Sequence, residues 1–160
     1  SDVCSSDLNV AVAAARLGHR VGLVTKVGDD GFGDYVRERL TNWGVTTDFI
    51  ASQVHAQTPL ALAALTPPET PTVVFYRGPA APDTTVKPHD VPSEVIRTAR
   101  ILWISQGSLA QGSTASTCLE WMSWRSHDQL TILDLDYRPS LWSGVDDARA
   151  MATRAIASVT

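Results

Sequence analysis

Short β-branched runs alternate along this chain with amphipathic segments about a dozen residues long, and that alternation leaves few folds open. Val21 to Val27 (VGLVTKV), Ile101 to Ser105 (ILWIS) and Thr131 to Leu135 (TILDL) read as strands. Asn9 to Leu17, Gly33 to Trp43, Ser93 to Ala99, Ser113 to Arg125 and Val145 to Ala157 read as helices, the first closed by Gly18 and the second by Gly44. Val159 is placed to open a further strand. Strands joined through helices cross over right-handed, so the fold class is α/β: a Rossmann-type, mostly parallel sheet flanked by helices. One stretch breaks the rhythm. From about Asp48 to Tyr76 there is no helix signal, only short β-type runs, Leu60 to Leu65 and Thr72 to Tyr76, separated by Pro67-Pro68 and Pro71. This insert reads as a small β lid projecting from the sheet, and no repeat or linker divides the rest.

Composition closes off several classes of function. With 44% apolar residues in a length of 160, the chain is neither disordered nor too short for a sizeable core. A formal charge of −4 argues against nucleic acid or an anionic membrane surface as the main partner. The longest apolar run, Val10 to Ala15, falls far short of the ~20 residues of a membrane span. Two cysteines, Cys4 and Cys118, make no disulfide scaffold, which favours a reduced, cytoplasmic setting. Residues 1–8 (SDVCSSDL) have neither helical nor strand periodicity and read as a junction segment foreign to the domain that starts at Asn9. The chain is accordingly expected to be an internal piece of a longer protein.

Three places could carry chemistry. Asn9, at the start of its helix, offers a donor and acceptors beside partly positive backbone amides; it suits a sugar hydroxyl or an ordinary N-cap. Phe75-Tyr76-Arg77 puts a guanidinium beside aromatics at a strand end, which suits a carboxylate or a solvated surface arginine. In Asp134-Leu-Asp136-Tyr-Arg138-Pro-Ser-Leu-Trp142, Asp134 and Asp136 alternate onto one face of a strand and Arg138 follows where the chain leaves it. Carboxyl ends of parallel strands are where α/β sheets bind ligands. The same residues could equally form a structural network. A phosphatase nucleophile motif of the hhhDxD type expects Thr or Val where Arg138 stands. Gly28, Gly31 and Gly33 lack dinucleotide-loop spacing, and Asp29 and Asp30 would repel a pyrophosphate, so these are turn glycines with a helix-capping Asp. His19, His55, His89 and His127 are scattered without metal-ligand spacing, so no metal site is expected within this chain. Trp103, Trp121, Trp124 and mid-helix Cys118 read as packing.

Asn9, Ala11, Gly18 and Gly28 follow the spacing N-x-A, six residues, Gly, nine residues, Gly, and VGDDGFGDYV continues from there. This resembles the first signature of the pfkB (ribokinase-like) carbohydrate kinases, although SDVCSSDL stands where that family has a Gly-Gly turn. Phe75-Tyr76-Arg77 resembles the Tyr-Tyr-Arg segment of its 2-keto-3-deoxygluconate kinase branch. DLDYRPSLW resembles the D-x-N-x-R-x-x-L-W segment of its sugar-acid kinases, in the form with Asp136 found in 5-dehydro-2-deoxygluconokinases of inositol catabolism.

The resemblance implies a ribokinase-like fold truncated at both ends, with residues 9–160 a partial kinase domain and about 48–76 its lid. It implies a transferase that uses ATP and Mg to phosphorylate a keto-deoxy sugar acid, 5-dehydro-2-deoxygluconate above all. Asn9, Tyr76, Arg77 and Arg138 would then contact the sugar acid, Asp136 would lie on the nucleotide side, and the lid would pair two subunits into a homodimer. The family's base is an Asp in a Gly-Ala-Gly-Asp helix start. That motif is not among these residues, so no catalytic residue is assigned here and the base is expected beyond Thr160. The competing reading is a non-catalytic sugar-binding or interaction module.

Overall fold

In the computed structural model, which describes residues 6–66, 72–78 and 80–160, helix α1 spans Ser6–Arg16. It ends in a Schellman motif: Gly18 takes φ +87°, its N–H donates to Ala15 O at 2.9 Å, and His19 N donates to Ala14 O at 3.1 Å. The helix begins three residues earlier than its periodicity suggested, with Asp7 in the first turn, where a carboxylate favours the positive end of the dipole. Asn9 is therefore inside the helix and is not its cap. Residues 1–5 of the junction segment, Cys4 among them, and the prolines at 67, 68 and 71 lie outside the described residues.

By contacts the chain divides into two compact units, 1–83 and 84–160. In the first, the run read as one strand over Val21 to Val27 is two, β1 (Val21–Gly22) and β2 (Thr25–Gly28), paired in parallel with β3 (Val45–Thr46) and β4 (Ile50–Gln53). The register offset grows by one residue between the two stretches, a bulge that places the Phe49 ring against Gly22. Leu23 N to Thr46 O and Thr25 N to Phe49 O bridge the break. Helix α2 (Gly31–Asn42) joins β2 to β3. Its start precedes Gly33 because Asp30 caps it, accepting from Phe32 N and Gly33 N. The core of this unit is Ala11, Leu23, Val27, Leu40, Val45 and Ile50, with Leu40 1% exposed.

The β-only stretch expected over Asp48 to Tyr76 divides in two. Its first part, β4, belongs to the parallel ladder. Its second part, β5 (Leu60–Ala64) and β6 (Thr72–Tyr76), forms an antiparallel hairpin, in register Leu60↔Tyr76 and Leu62↔Val74.

In the second unit, α3 (Ser93–Thr98), β7 (Ile101–Ser105), α4 (Gly112–Ser123), β8 (Leu130–Asp134) and α5 (Val145–Ile156) follow in order, with β7 and β8 parallel. Strand β8 stops one residue before Leu135, which leaves Asp136 outside it. Helix α4 stops at Ser123, short of Arg125, because Arg125 turns out to join three elements. Its Nη1 donates to Ile96 O and Ala99 O, its Nη2 to Leu130 O and its Nε to Thr131 Oγ1. Ile104, Leu109, Cys118, Met122 and Ala155 form the core, and Trp121 is 4% exposed against the same unit. No strand forms from Val159; it packs on that core, and Thr160 N donates to Thr131 O.

Candidate functional site

Strands β7 and β8 end together, Ser105 opposite Asp134, and the chain after β8 keeps its alternation beyond the ladder. Asp134, Asp136 and Arg138 are half-buried while Leu135 and Tyr137 are exposed. Pro139 biases the residue before it to extended backbone, and Arg138 has φ −118° and ψ 102°. Residues two apart on an extended chain share a side. Asp136 and Arg138 consequently meet: Arg138 Nε donates to Asp136 Oδ2 at 2.8 Å, and Nη2 lies 2.6 Å from the same oxygen. The side chains are 27% and 35% exposed, so the carboxylate aims a guanidinium that partly reaches solvent. Gln111 Nε2 donates to Leu141 O, which holds the turn after Arg138, and buried Gln106 ties the loop after β7 to Ala148 O of α5. Beside that turn lies a concavity of ≈ 640 Å³ lined by Gln111, Leu141, Trp142, Met151 and Arg154.

In the first unit, Tyr76 ends β6 and is 61% exposed; Arg77 follows it. Arg77 Nη2 sits 2.6 Å from Asp83 Oδ2, the two side chains one-third exposed. The sequence pointed to Arg77 but not to this partner. Asn9 is exposed on α1, an element apart from the hairpin. All four histidines are exposed, and among the described residues no group of three or more His, Cys, Asp or Glu is placed to hold a metal.

The sequence reading missed what happens at Asp30. Besides capping α2, its Oδ2 accepts from Thr58 N at 2.8 Å and its Oδ1 from Thr58 Oγ1 at 2.7 Å. Nothing in the spacing of two residues 28 apart announces this. The bonds from Thr58, its backbone N–H foremost, and from Gly33 N hold the Asp30 carboxyl below the usual carboxylate range. A depressed carboxyl stabilises the fold above its unfolded value, near pH 4, and loses that contribution as pH falls through the folded value. The gap in melting temperature between wild type and Asp30→Asn should therefore be widest near neutrality and close on acidification. A gap that stays constant down to the onset of acid unfolding would contradict this reading of the carboxyl.

Parallel strand pairs joined through helices, with a separate antiparallel hairpin, define a Rossmann-like α/β protein. Residues 6–160 match the pfkB family carbohydrate kinase profile, and the chain belongs to that family. It is 33% identical over 148 residues to a 5-dehydro-2-deoxygluconokinase of Photobacterium profundum, covering 91% of this chain and 44% of that protein. It is 29% identical over 147 residues to the enzyme of the same name from Bacillus subtilis, covering 91% of this chain and 45% of that one. Among solved structures, a fructokinase from Xylella fastidiosa superposes with TM-score 0.82 at 29% identity, over 95% of this chain and 47% of that one. The chain thus spans about half the length of the curated relatives it matches. The ribokinase-like α/β fold and the pfkB carbohydrate-kinase family expected from the sequence stand. No helix among the described residues is long and apolar enough to cross a membrane.

Proposed function

We propose that this chain is the sugar-binding half of an ATP-dependent kinase acting on a keto-deoxy sugar acid, 5-dehydro-2-deoxygluconate, in cytoplasmic inositol catabolism. The observation that carries the proposal is the state of the two arginines. Arg77 follows β6 and Arg138 lies four residues past β8; each is paired with a partly exposed carboxylate, and each side chain is partly exposed. Taken separately, Arg77 suits the carboxylate of a sugar acid, and Arg138 suits the substrate and the transferred phosphoryl group. The names of the relatives support the same substrate. Tyr76 and Asn9 would add polar contacts to the sugar hydroxyls, and Asp136 would hold Arg138 on the nucleotide side.

A sugar kinase from Pyrococcus horikoshii has been solved with ATP, at TM-score 0.79 and 25% identity, which supports ATP as the phosphoryl donor. Among the described residues there is no cluster of metal ligands, and Asp136 is paired with Arg138. Steady-state kinetics of the full-length protein on keto-deoxy sugar acids, with fructose and ribose as neutral controls, tests the proposal. Preference for the neutral sugars would reduce it to an unspecified carbohydrate kinase. No turnover on any of them would favour the non-catalytic sugar-binding module.

The hairpin supports a second copy of this chain as partner. Leu62 and Val74 face each other across the ladder and Tyr76 shares their side, at 55%, 48% and 61% exposure. A homodimer through that face should dissociate on Leu62→Asp, read by sedimentation velocity of the full-length protein. A dimer that survives the substitution lies elsewhere.

A further inference from the structure

The hairpin is exposed on both sides, Leu62 and Val74 on one and Phe75, 57% exposed, on the other. A two-stranded hairpin alone is marginal in water, so what fixes its direction is how its ends are held. The downstream end carries the Arg77–Asp83 pair. The upstream end is held by a more elaborate knot. Thr58, 8% exposed, donates through N and Oγ1 to the two oxygens of Asp30, and its Oγ1 accepts from Gly28 N at 3.0 Å. The backbone closes in until no side chain fits: a Cβ on Gly28 would lie 2.5 Å from Ala56 O and 2.6 Å from Thr58 N, and one on Gly33 would lie 2.4 Å from Gly28 O. Two residues on from Thr58 is Leu60, whose cross-strand partner is Tyr76, and Arg77 comes next.

We infer that Asp30 and Thr58 are the upstream anchor of the hairpin and act as positioning residues for Tyr76 and Arg77. The anchor joins the carboxyl end of β2 and the start of α2 to the strand opposite Tyr76, so the arginine's place is set by residues that do not touch a ligand. The inference rests on the kinase reading only for what Arg77 binds; the mechanical part stands on the geometry alone.

Hydrogen exchange and kinetics on the full-length protein separate the two. Thr58→Val removes the hydroxyl and keeps the shape, while Thr58→Ser restores it. Exchange of amides 60–64 and 72–76 should rise about ten- to a hundredfold in Thr58→Val, the scale of the two lost hydrogen bonds, with α1 and the Leu40 core unchanged. The sugar-acid KM should rise about three- to tenfold with kcat within about twofold, and Thr58→Ser should return both toward wild type. Unchanged hairpin exchange, or a rise spread evenly over the unit, overturns the anchor. Raised hairpin exchange with an unmoved sugar-acid KM overturns the positioning role. A wild-type protein inactive on every sugar defeats the kinase reading, and the exchange pattern still decides the anchor.

Discussion

Replacing Arg138 with alanine in the full-length protein should lower kcat by about 10²- to 10³-fold, the scale of removing one preorganised group from developing charge, while the sugar KM moves by less than about threefold. Phosphoryl transfer leaves a protein little covalent work; its contribution is positioning and electrostatic stabilisation. A cation serves that purpose only if it is already aimed. Arg138 is: Pro139 fixes the backbone before the turn, and Asp136 grips Nε and Nη2 from a single oxygen. With side chains about one-third exposed, that pair contributes roughly 0–1 kcal/mol to stability, so the alanine variant should stay folded. Arg138→Lys keeps the charge but not the planar fork and should recover only part of the rate. A folded Arg138→Ala protein with wild-type kcat would remove Arg138 from the chemistry. It would leave the Asp136–Arg138 pair as a structural contact, the other reading its sequence allows.

What the sequence made legible, and what it did not, follows from the range of the interactions. Gly18 and Gly44 mark helix ends because both take positive φ, +87° and +83°, a local demand that local sequence states. ILWIS reads correctly to the residue, since a short apolar run between polar breaks is bounded on both sides. The Asp136–Arg138 spacing was readable for the same reason, being set by extended backbone and one proline. The failures are tertiary. The break between β1 and β2 depends on the Phe49 ring packing on Gly22, and the early departure of Arg125 from α4 on acceptors at Ile96 and Ala99, behind it in the chain, and at Leu130 and Thr131 of β8. Asn9 looked like a cap because Asn favours that position, yet the helix starts at Ser6. The partners of Arg77 and Asp30, Asp83 and Thr58, carry no motif at all. Motifs show which residues matter; the structure adds which neighbours hold them in place.

Arg77→Ala should weaken binding of sugar acids by about one to two orders of magnitude, the loss of one charge-assisted contact of roughly 1.5–3 kcal/mol, with the ATP KM nearly unchanged. The competitor for the guanidinium is Asp83, 2.6 Å from Nη2. The two magnitudes decide between them. An ion pair one-third exposed is screened and worth roughly 0–1 kcal/mol, less than a carboxylate gains from the same fork once a bound sugar excludes water. Arg77 has five donors, so the ligand can also bind while Nη2 stays near Asp83. On either geometry the loss falls on acids. The neutral sugars have no carboxylate to offer, and their KM should change by less than about twofold. Steady-state kinetics of wild type and Arg77→Ala across both sets of sugars makes the comparison internal to one protein. Equal losses on acids and neutral sugars would mean that Arg77 supports the hairpin rather than the carboxylate. No loss on the acids would place their recognition on Arg138 or outside this chain.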